Sequence, residues 1–111
     1  MKKISTWGEF TSIDGNQPFY FLKNSTTCPI SQSAFEEVEH FSEDHPNSPV
    51  YFLNVQDSRE LSNRIAEHFK VKHESPQLFL ISNDQVLHHD SHWKITYSAL
   101  EEINQKMNSS T

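Results

Sequence analysis

The sequence is poor in cysteine, in glycine and in long apolar runs. It contains one cysteine, Cys28, and two glycines among 111 residues. A single thiol excludes an intramolecular disulfide, a Cys-x-x-Cys redox pair and a cysteine-cluster metal site within one chain. The longest wholly apolar runs, among them Phe19–Leu22 and Leu78–Ile81, have four residues, whereas a membrane-spanning helix needs about 20. Disulfide chemistry therefore requires a thiol from a partner, and we expect a soluble protein.

Basic residues are also in the minority. Lys and Arg number 9 against 15 Asp and Glu, which gives a formal net charge of −6. Nucleic acids and anionic membranes are bound through basic surfaces, so neither is an expected partner. The basic N-terminal stretch, residues 1–7, lacks the apolar segment of about 7–15 residues that a secretory signal carries. We therefore expect a cytoplasmic protein, and we expect it to be a monomer.

The pattern of apolar residues predicts a single α/β domain over residues 1–111, with an ordered core at about 4–107 and a short polar tail at 108–111. Short apolar runs bounded by turn residues predict four strands. Two of these runs are continuously apolar, which is typical of strands buried on both faces. The strands are predicted at residues 18–23, 50–55, 77–82 and 86–91.

Four helices are predicted from apolar residues that recur three and four positions apart. Ser5 or Thr6 caps the first helix, and the second joins the first two strands. The third is capped by Asp57 or Ser58 in a capping box, and the last begins at Thr96. The predicted order of elements is α, β, α, β, α, β, β, α.

The order of these elements predicts the fold. A helix between the first two strands makes those strands parallel, and the three-residue connection at 83–85 is typical of an antiparallel hairpin. A βαβ half followed by a β-hairpin and a C-terminal helix is the thioredoxin-like order. We predict a central mixed four-stranded sheet flanked by helices. Because one fold hosts many activities, the function must be sought in particular residues.

Cys28 lies at the predicted junction between the first strand and the second helix. Pro29 follows at the first helical position, where its missing N–H costs nothing. Unpaired N–H groups and the helix dipole stabilise a thiolate at such a site. Ser31 stands where a dithiol protein would carry its resolving cysteine, and its hydroxyl can donate to the thiolate. The sequence predicts a nucleophilic Cys28 in a loop with Thr27, Pro29 and Ile30, although lone cysteines are more often small buried hydrophobes.

Three segments together resemble those of the YtxJ-type bacillithiol-system proteins, the monothiol bacilliredoxins of the thioredoxin-like superfamily. They are STTCPIS at 25–31, HESPQ at 73–77 and SHWKIT at 91–96. The resemblance implies a monothiol thiol-disulfide oxidoreductase whose Cys28 takes bacillithiol from S-bacillithiolated client proteins. Bacillithiol, another thiol or a reductase would later free Cys28. Bacillithiol is then a co-substrate, and neither a tightly bound cofactor nor a metal is implied.

The resemblance also implies a docking edge for the substrate. Thioredoxin-like proteins carry a cis-proline opposite the reactive cysteine, which here is Pro76, and the backbone of Ser75 would pair with an extended segment of the partner. Trp93 either helps to form the thiol-binding surface or packs beneath the last helix. Lys23 and Lys94, at the ends of predicted elements, are candidate contacts for the carboxylates of bacillithiol.

Two alternatives stay open. His88, His89, Asp90 and His92 suggest a metal site, but on a strand His88 and Asp90 share one face while His89 points to the other. Solvated histidines are the better interpretation. The alternative function is a non-catalytic redox sensor or adaptor that is modified at Cys28 under oxidative stress. A structural thioredoxin-like binding module, whose Cys28 would have the pKa of a free thiol, is a third possibility.

Overall fold

A five-stranded mixed sheet forms the centre of the protein. The structure, a computed structural model, describes residues 1–109. The sheet has the order β1-β3-β2-β4-β5, in which β2 is parallel to β3 and antiparallel to β4. This arrangement confirms the predicted thioredoxin-like order. The strands are β1 (Lys2–Lys3), β2 (Phe19–Asn24), β3 (Val50–Asn54), β4 (Gln77–Ser82) and β5 (Gln85–Ser91).

The predicted strand number is corrected from four to five, because the sequence analysis missed β1. Lys2 and Lys3 pair in parallel with Tyr51 and Phe52 of β3. The N–H of Ile4 then donates to the carbonyl of Phe52 at 2.9 Å. A two-residue edge strand whose side chains are both exposed leaves no alternation of polar and apolar residues from which it could be predicted.

Helices cover both faces of the sheet. They are α1 (Trp7–Thr11), α2 (Pro29–Asp44), α3 (Arg59–Phe69) and α4 (Tyr97–Ser109), and a short 3₁₀ helix, His92–Lys94, precedes α4. Alternate residues of β2 point to opposite faces, so that strand contributes to two cores. One core, with α2 and α4, contains Tyr20, Leu22, Ala34, Val38, Phe41, Val50, Leu78, Leu80, Ile95 and Leu100. The other, with α1 and α3, contains Ile4, Phe10, Phe19, Phe21, Leu53, Leu61, Ile65, Phe79 and Ile81.

Of the predicted caps of α1 and α3, the first is confirmed and the second is not. Thr6 caps α1 as expected, since its Oγ1 accepts a hydrogen bond from the N–H of Glu9 at 3.1 Å. The capping box predicted for α3 is wrong. Ser58 is its N-cap, but its side chain makes no cap hydrogen bond, and Asp57 instead lies 3.6 Å from the ammonium of Lys3. An ion pair to β1 takes the carboxylate away from the helix.

The bounds of the hairpin and of the last helix differ slightly from the prediction. Asn83 and Asp84 have φ values of 52° and 60°, so a two-residue left-handed turn joins the strands and β5 begins one residue earlier than predicted. Helix α4 extends two residues beyond the predicted core and ends at Ser109. Residues 110–111 of the predicted tail lie outside the described residues. None of the helices in the described chain is long and apolar enough to cross a membrane.

Candidate functional site

Cys28 is the N-cap residue of α2, at the edge of the sheet where β2 and β3 end. Its backbone is extended, with φ −104° and ψ 124°, and Pro29 occupies the first helical turn. The Cys28 carbonyl accepts the hydrogen bond of Gln32 N–H at 3.0 Å, while the side chain makes no capping bond. The thiol is partly exposed and is not in a disulfide. The predicted placement of Cys28 at a helix N-terminus is confirmed.

The surroundings of Cys28 favour the thiolate. Although none of them completes a capping hydrogen bond to the sulfur, the backbone N–H groups of Ser31 and Ile30, in that order, are close enough to lower the pKa of the Cys28 thiol below its ordinary value, and the Ser31 hydroxyl adds to the effect. Slight burial opposes them. Hydrogen bonds to the charged form of an acid favour that form, and the thiolate is the nucleophilic state of cysteine.

Ser31 has an unsatisfied hydroxyl beside this thiol. The residue is fully buried, and its Oγ has no hydrogen-bond partner among the described residues. The hydroxyl is close enough to lower the Cys28 pKa but does not complete a hydrogen bond to the thiol. An unpaired buried hydroxyl costs about 1–3 kcal/mol. A negative charge on Cys28 would provide the acceptor that Ser31 lacks.

The Pro76 loop leaves the sheet at the same edge as Cys28. The Ser75–Pro76 peptide bond is cis, and Lys23 near the end of β2 pairs with Gln77 at the start of β4. This register places Pro76 beside the segment that leads into Cys28. Pro76 is buried and Ser75 is half-buried. The Ser75 Oγ has no hydrogen-bond partner in the part of the chain whose side chains the structure describes. The expected docking role of Ser75 and Pro76 stays a prediction.

Three hydrogen bonds hold the Pro76 loop. The side-chain amide of Gln77 donates to the carbonyl of Lys72 at 2.9 Å and accepts from the N–H of Glu74 at 3.3 Å. The carbonyl of Pro76 accepts from the N–H of His92 at 3.0 Å. The loop is therefore tied both to β4 and to the 3₁₀ helix.

Lys23 does not lie where the sequence analysis expected it. The predicted contact with the carboxylates of bacillithiol is wrong, because Lys23 is fully buried. Strand alternation directs it towards α3, where its ammonium donates to the carbonyl of Ser62 at 2.9 Å. It also lies 3.2 Å from Nδ1 of His73 and above the ring of Phe79. No carboxylate of the described residues is within ion-pair distance of it.

Because an ammonium can only donate, Nδ1 of His73 is the acceptor in its contact with Lys23. The pKa of His73 is lowered by burial and by the charges of Lys23 and Arg59, which outweigh the opposite effect of Glu74. The Ser62 hydroxyl lies 3.2 Å from the same Nδ1. The three side chains thus connect β2, α3 and the Pro76 loop beneath the Cys28 edge.

The buried ammonium of Lys23, which has no carboxylate partner among the described residues, makes the free energy of unfolding depend on pH. Burial lowers the Lys23 pKa from its ordinary 10.5 to about 8. Below pH 8 both the folded and unfolded states carry the proton, and the cost of burying the charge is fully present. Between pH 8 and 10.5 the folded state binds fewer protons than the unfolded state, so stability rises with pH. The full gain is about 3 kcal/mol.

We expect the free energy of unfolding to increase by about 2–3 kcal/mol between pH 8 and pH 10, and the Lys23→Met variant to lose the part due to Lys23; Cys28, whose pKa is also lowered, contributes in the same direction in both proteins. Tyr20 and Tyr97, whose pKa values are raised from 10.0 to about 12, keep protons that the unfolded chain loses, so they begin to oppose the trend as the pH approaches 10. Denaturant unfolding across this range measures it. Lys94→Met, at an exposed lysine, is the matched control. A wild-type stability that is flat over the interval contradicts the assignment.

Trp93 is exposed beside the Pro76 loop. It belongs to the 3₁₀ helix, which packs against α2, and its relative exposure is 72%. The alternative in which Trp93 packs beneath the last helix is therefore wrong. Lys94, the next residue, is also exposed. A role of Trp93 in a thiol-binding surface stays a prediction, and Lys94 rather than Lys23 offers a cation to solvent there.

Sequence reasoning missed Gln56, in the turn after β3. Its side-chain amide binds the segment that precedes Cys28 and includes the predicted loop residue Thr27. Like Cys28, it follows the end of a parallel strand, and ligand-binding sites of α/β proteins lie at the carboxyl ends of such strands. That position was the available signal, but glutamine in a turn carries no chemical pattern of its own.

The histidines of β5 lie on opposite faces of the strand. His88 Nε2 and Asp90 Oδ2 are 2.8 Å apart, so these residues share a face as alternation predicts. His89 lies on the other face, with its ring near that of Phe79. In residues 1–109, no three His, Cys, Asp or Glu side chains are grouped so that they could hold a metal ion.

Known proteins match this chain in sequence and in fold. The family model described as "Monothiol bacilliredoxin BrxC" matches residues 1–100. A solved protein described as a candidate oxidoreductase with a thioredoxin fold is 35% identical, with a TM-score of 0.86 over 93% of this chain and 92% of its own. Fasciola hepatica thioredoxin is 13% identical, with a TM-score of 0.78 over 96% and 98%. Oxidised mitochondrial thioredoxin 3 of Saccharomyces cerevisiae is 16% identical, with a TM-score of 0.74 over 96% and 94%.

These matches agree with the geometry of the site. The two thioredoxins are similar in fold alone, whereas the family match spans the Cys28 loop, the Pro76 loop and the Trp93 segment. One cysteine in the sequence fits a monothiol protein, and a thiol redox function follows. The chain belongs to the monothiol bacilliredoxin family.

Proposed function

We propose that the protein removes bacillithiol from S-bacillithiolated client proteins through a mixed disulfide at Cys28. The observation that carries the proposal is a partly exposed thiol at the N-terminus of α2, with the N–H groups of Ser31 and Ile30 stabilising its thiolate. Membership of the family supports bacillithiol as the co-substrate. A lone reduced thiol also fits a reducing compartment, and we place the reaction in the cytoplasm.

The reaction consists of two thiol-disulfide exchanges. The Cys28 thiolate attacks the bacillithiol sulfur of the mixed disulfide, so a Cys28–bacillithiol bond forms as the client–bacillithiol bond breaks. The client cysteine leaves as a thiolate and takes a proton from water. A second bacillithiol thiolate, or another low-molecular-weight thiol, then attacks the bound bacillithiol sulfur. This step restores the Cys28 thiolate and releases a disulfide, so the electrons balance.

The neighbouring surface would bind the two halves of the substrate. An extended client segment would pair with the backbone of Ser75 before Pro76, as in a short strand addition. The exposed ring of Trp93 offers apolar contact area, and the ammonium of Lys94 offers charge for the carboxylates of bacillithiol. Ser31 would donate to the Cys28 thiolate when it forms and when it leaves.

The lowered pKa of Cys28 predicts fast alkylation at neutral pH. Because only the thiolate reacts, the alkylation rate should rise with pH and reach half of its maximum below the ~8.5 of a free cysteine. The same chain unfolded in denaturant is the control and should titrate as a free thiol. Ser31→Ala keeps both backbone donors and should raise the apparent pKa without reaching the unfolded value. A folded protein that titrates like the unfolded chain would contradict thiolate stabilisation.

Turnover tests the proposed function against a redox sensor. With an S-bacillithiolated client in excess and free bacillithiol as reductant, each protein molecule should release many client molecules in reduced form. A sensor would become modified once at Cys28 and release no further client. Absence of any release, with Cys28 unmodified, would reject both functions and favour a binding module.

A further inference from the structure

The turn after β3 holds the segment that precedes Cys28 through one side chain. The Oε1 of Gln56 accepts a hydrogen bond from the N–H of Thr26 at 3.0 Å. Its Nε2 donates to Ser25 Oγ at 2.7 Å and to Thr27 Oγ1 at 3.1 Å. Three successive residues before Cys28 are thus held by a single amide, and both of its N–H groups are in use.

Gln56 is itself fixed by the backbone of the turn. The N–H of Val55 donates to the carbonyl of Asn24 at 2.8 Å, which joins the turn to the end of β2. The N–H of Asp57 donates to the carbonyl of Asn54 at 3.0 Å. The Asp57 carboxylate pairs with Lys3. The turn that carries Gln56 is therefore hydrogen-bonded to the end of β2, and its acidic group is paired with β1.

The contact of Gln56 with residues 25–27 orients the loop rather than filling the core. Gln56 is exposed, so it adds little to the core. Cys28, however, meets the N–H groups of Ile30 and Ser31 only when the backbone just before the helix is extended and fixed. The residues that set this backbone are those bound by Gln56.

We infer that Gln56 is a positioning residue for Cys28, because it locks residues 25–27 in the arrangement that aims the sulfur at the N-terminus of α2. Gln56 acts through the loop and touches no reacting atom. The inference rests on the proposed function, in which Cys28 is the nucleophile.

Gln56→Leu tests this inference, since leucine fills a similar space without either hydrogen-bonding group. The pKa of Cys28 measured by alkylation should rise. The rate of bacillithiol transfer at neutral pH should fall roughly 3- to 10-fold, because the hydrogen bonding that orients Cys28 is weakened by about the free energy of one hydrogen bond. The rate at high pH, where all the thiol is ionised, should change less. Gln85→Leu, an exposed glutamine on β5, is the matched control and should behave as wild type.

Gln56→Glu separates loop geometry from charge. Its carboxylate still accepts from Thr26, and the Ser25 and Thr27 hydroxyls can donate to it, so the loop stays held. The new charge should raise the Cys28 pKa in an effect that shrinks as salt increases from about 0.1 to 1 M, since the screening length falls from about 10 to 3 Å. The Gln56→Leu effect should not depend on salt. If Gln56→Leu folds poorly, Gln56→Asn, with a shorter stem, carries the same expectation.

Loss of thermal stability in Gln56→Leu and Gln56→Asn with an unchanged Cys28 pKa and transfer rate would overturn the inference, because it would show a merely structural contact. Its failure is distinct from that of the proposed function. A wild-type protein that transfers no bacillithiol, yet shows a low Cys28 pKa that rises in Gln56→Leu, would refute the function and keep the positioning role.

Discussion

Replacing Cys28 with alanine reduces bacillithiol transfer to the uncatalysed background while the domain stays folded. The sequence provides no other thiol, so the exchange has no second route through the protein. The side chain of Cys28 is partly exposed and makes no capping bond, so its removal opens no cavity in either core. The rate of client thiol release measures the first effect, and thermal unfolding measures the second.

Cys28→Ser is the matched control for this result. Serine is a preferred N-cap residue, whereas alanine is not, so Cys28→Ser should be at least as stable as Cys28→Ala. It should be equally inactive, because a serine hydroxyl is not ionised at neutral pH. Residual transfer in both variants would place the reacting group elsewhere and contradict the role of Cys28.

Ser31→Cys should change the end state of the reaction. Residue 31 lies three positions after Cys28, in the first turn of α2, and its side chain faces the Cys28 sulfur. A tethered thiol attacks at an effective concentration in the mM range, well above that of most external thiols. The variant should therefore expel bacillithiol from Cys28 and accumulate an internal disulfide between Cys28 and the introduced thiol. The wild type instead keeps the bacillithiol adduct until an external thiol arrives.

Intact-mass spectrometry after reaction with bacillithiol disulfide distinguishes these end states. Ser33→Cys is the control, because residue 33 is exposed and on the same helix but on a different side from Cys28; it should form no internal disulfide. A persistent bacillithiol adduct on Cys28 in Ser31→Cys would show that residue 31 cannot reach the sulfur, and would remove Ser31 from the site.

The sequence predicts the central elements because their patterns are strong. Phe19–Leu22 and Leu78–Ile81 are apolar throughout, and both strands are buried on two faces in the structure. The parallel and antiparallel pairings follow from the lengths of the connections. β1 escapes prediction because it has only two residues, both exposed, so its pairing with β3 leaves no alternation of polar and apolar residues in the sequence.

The site is predictable only in part. Cys28 stands out because sulfur, proline and a strand-to-helix junction coincide there. The surface role predicted for Lys23 is wrong because Lys23 is fully buried, which lysine almost never is. Its partners become evident only from the register with Gln77 and the position of α3. Gln56 is far from Cys28 in sequence, and the two meet only because β2 and β3 are neighbours.

A single-turnover transfer followed by intact-mass spectrometry tests the central claim most directly. Reduced protein is mixed with an equal amount of an S-bacillithiolated client, and both masses are followed in time. We predict that the client loses bacillithiol at the rate at which Cys28 gains it. A client that is released while Cys28 stays unmodified, or a client–Cys28 disulfide with free bacillithiol as the main product, would contradict the proposed attack on the bacillithiol sulfur.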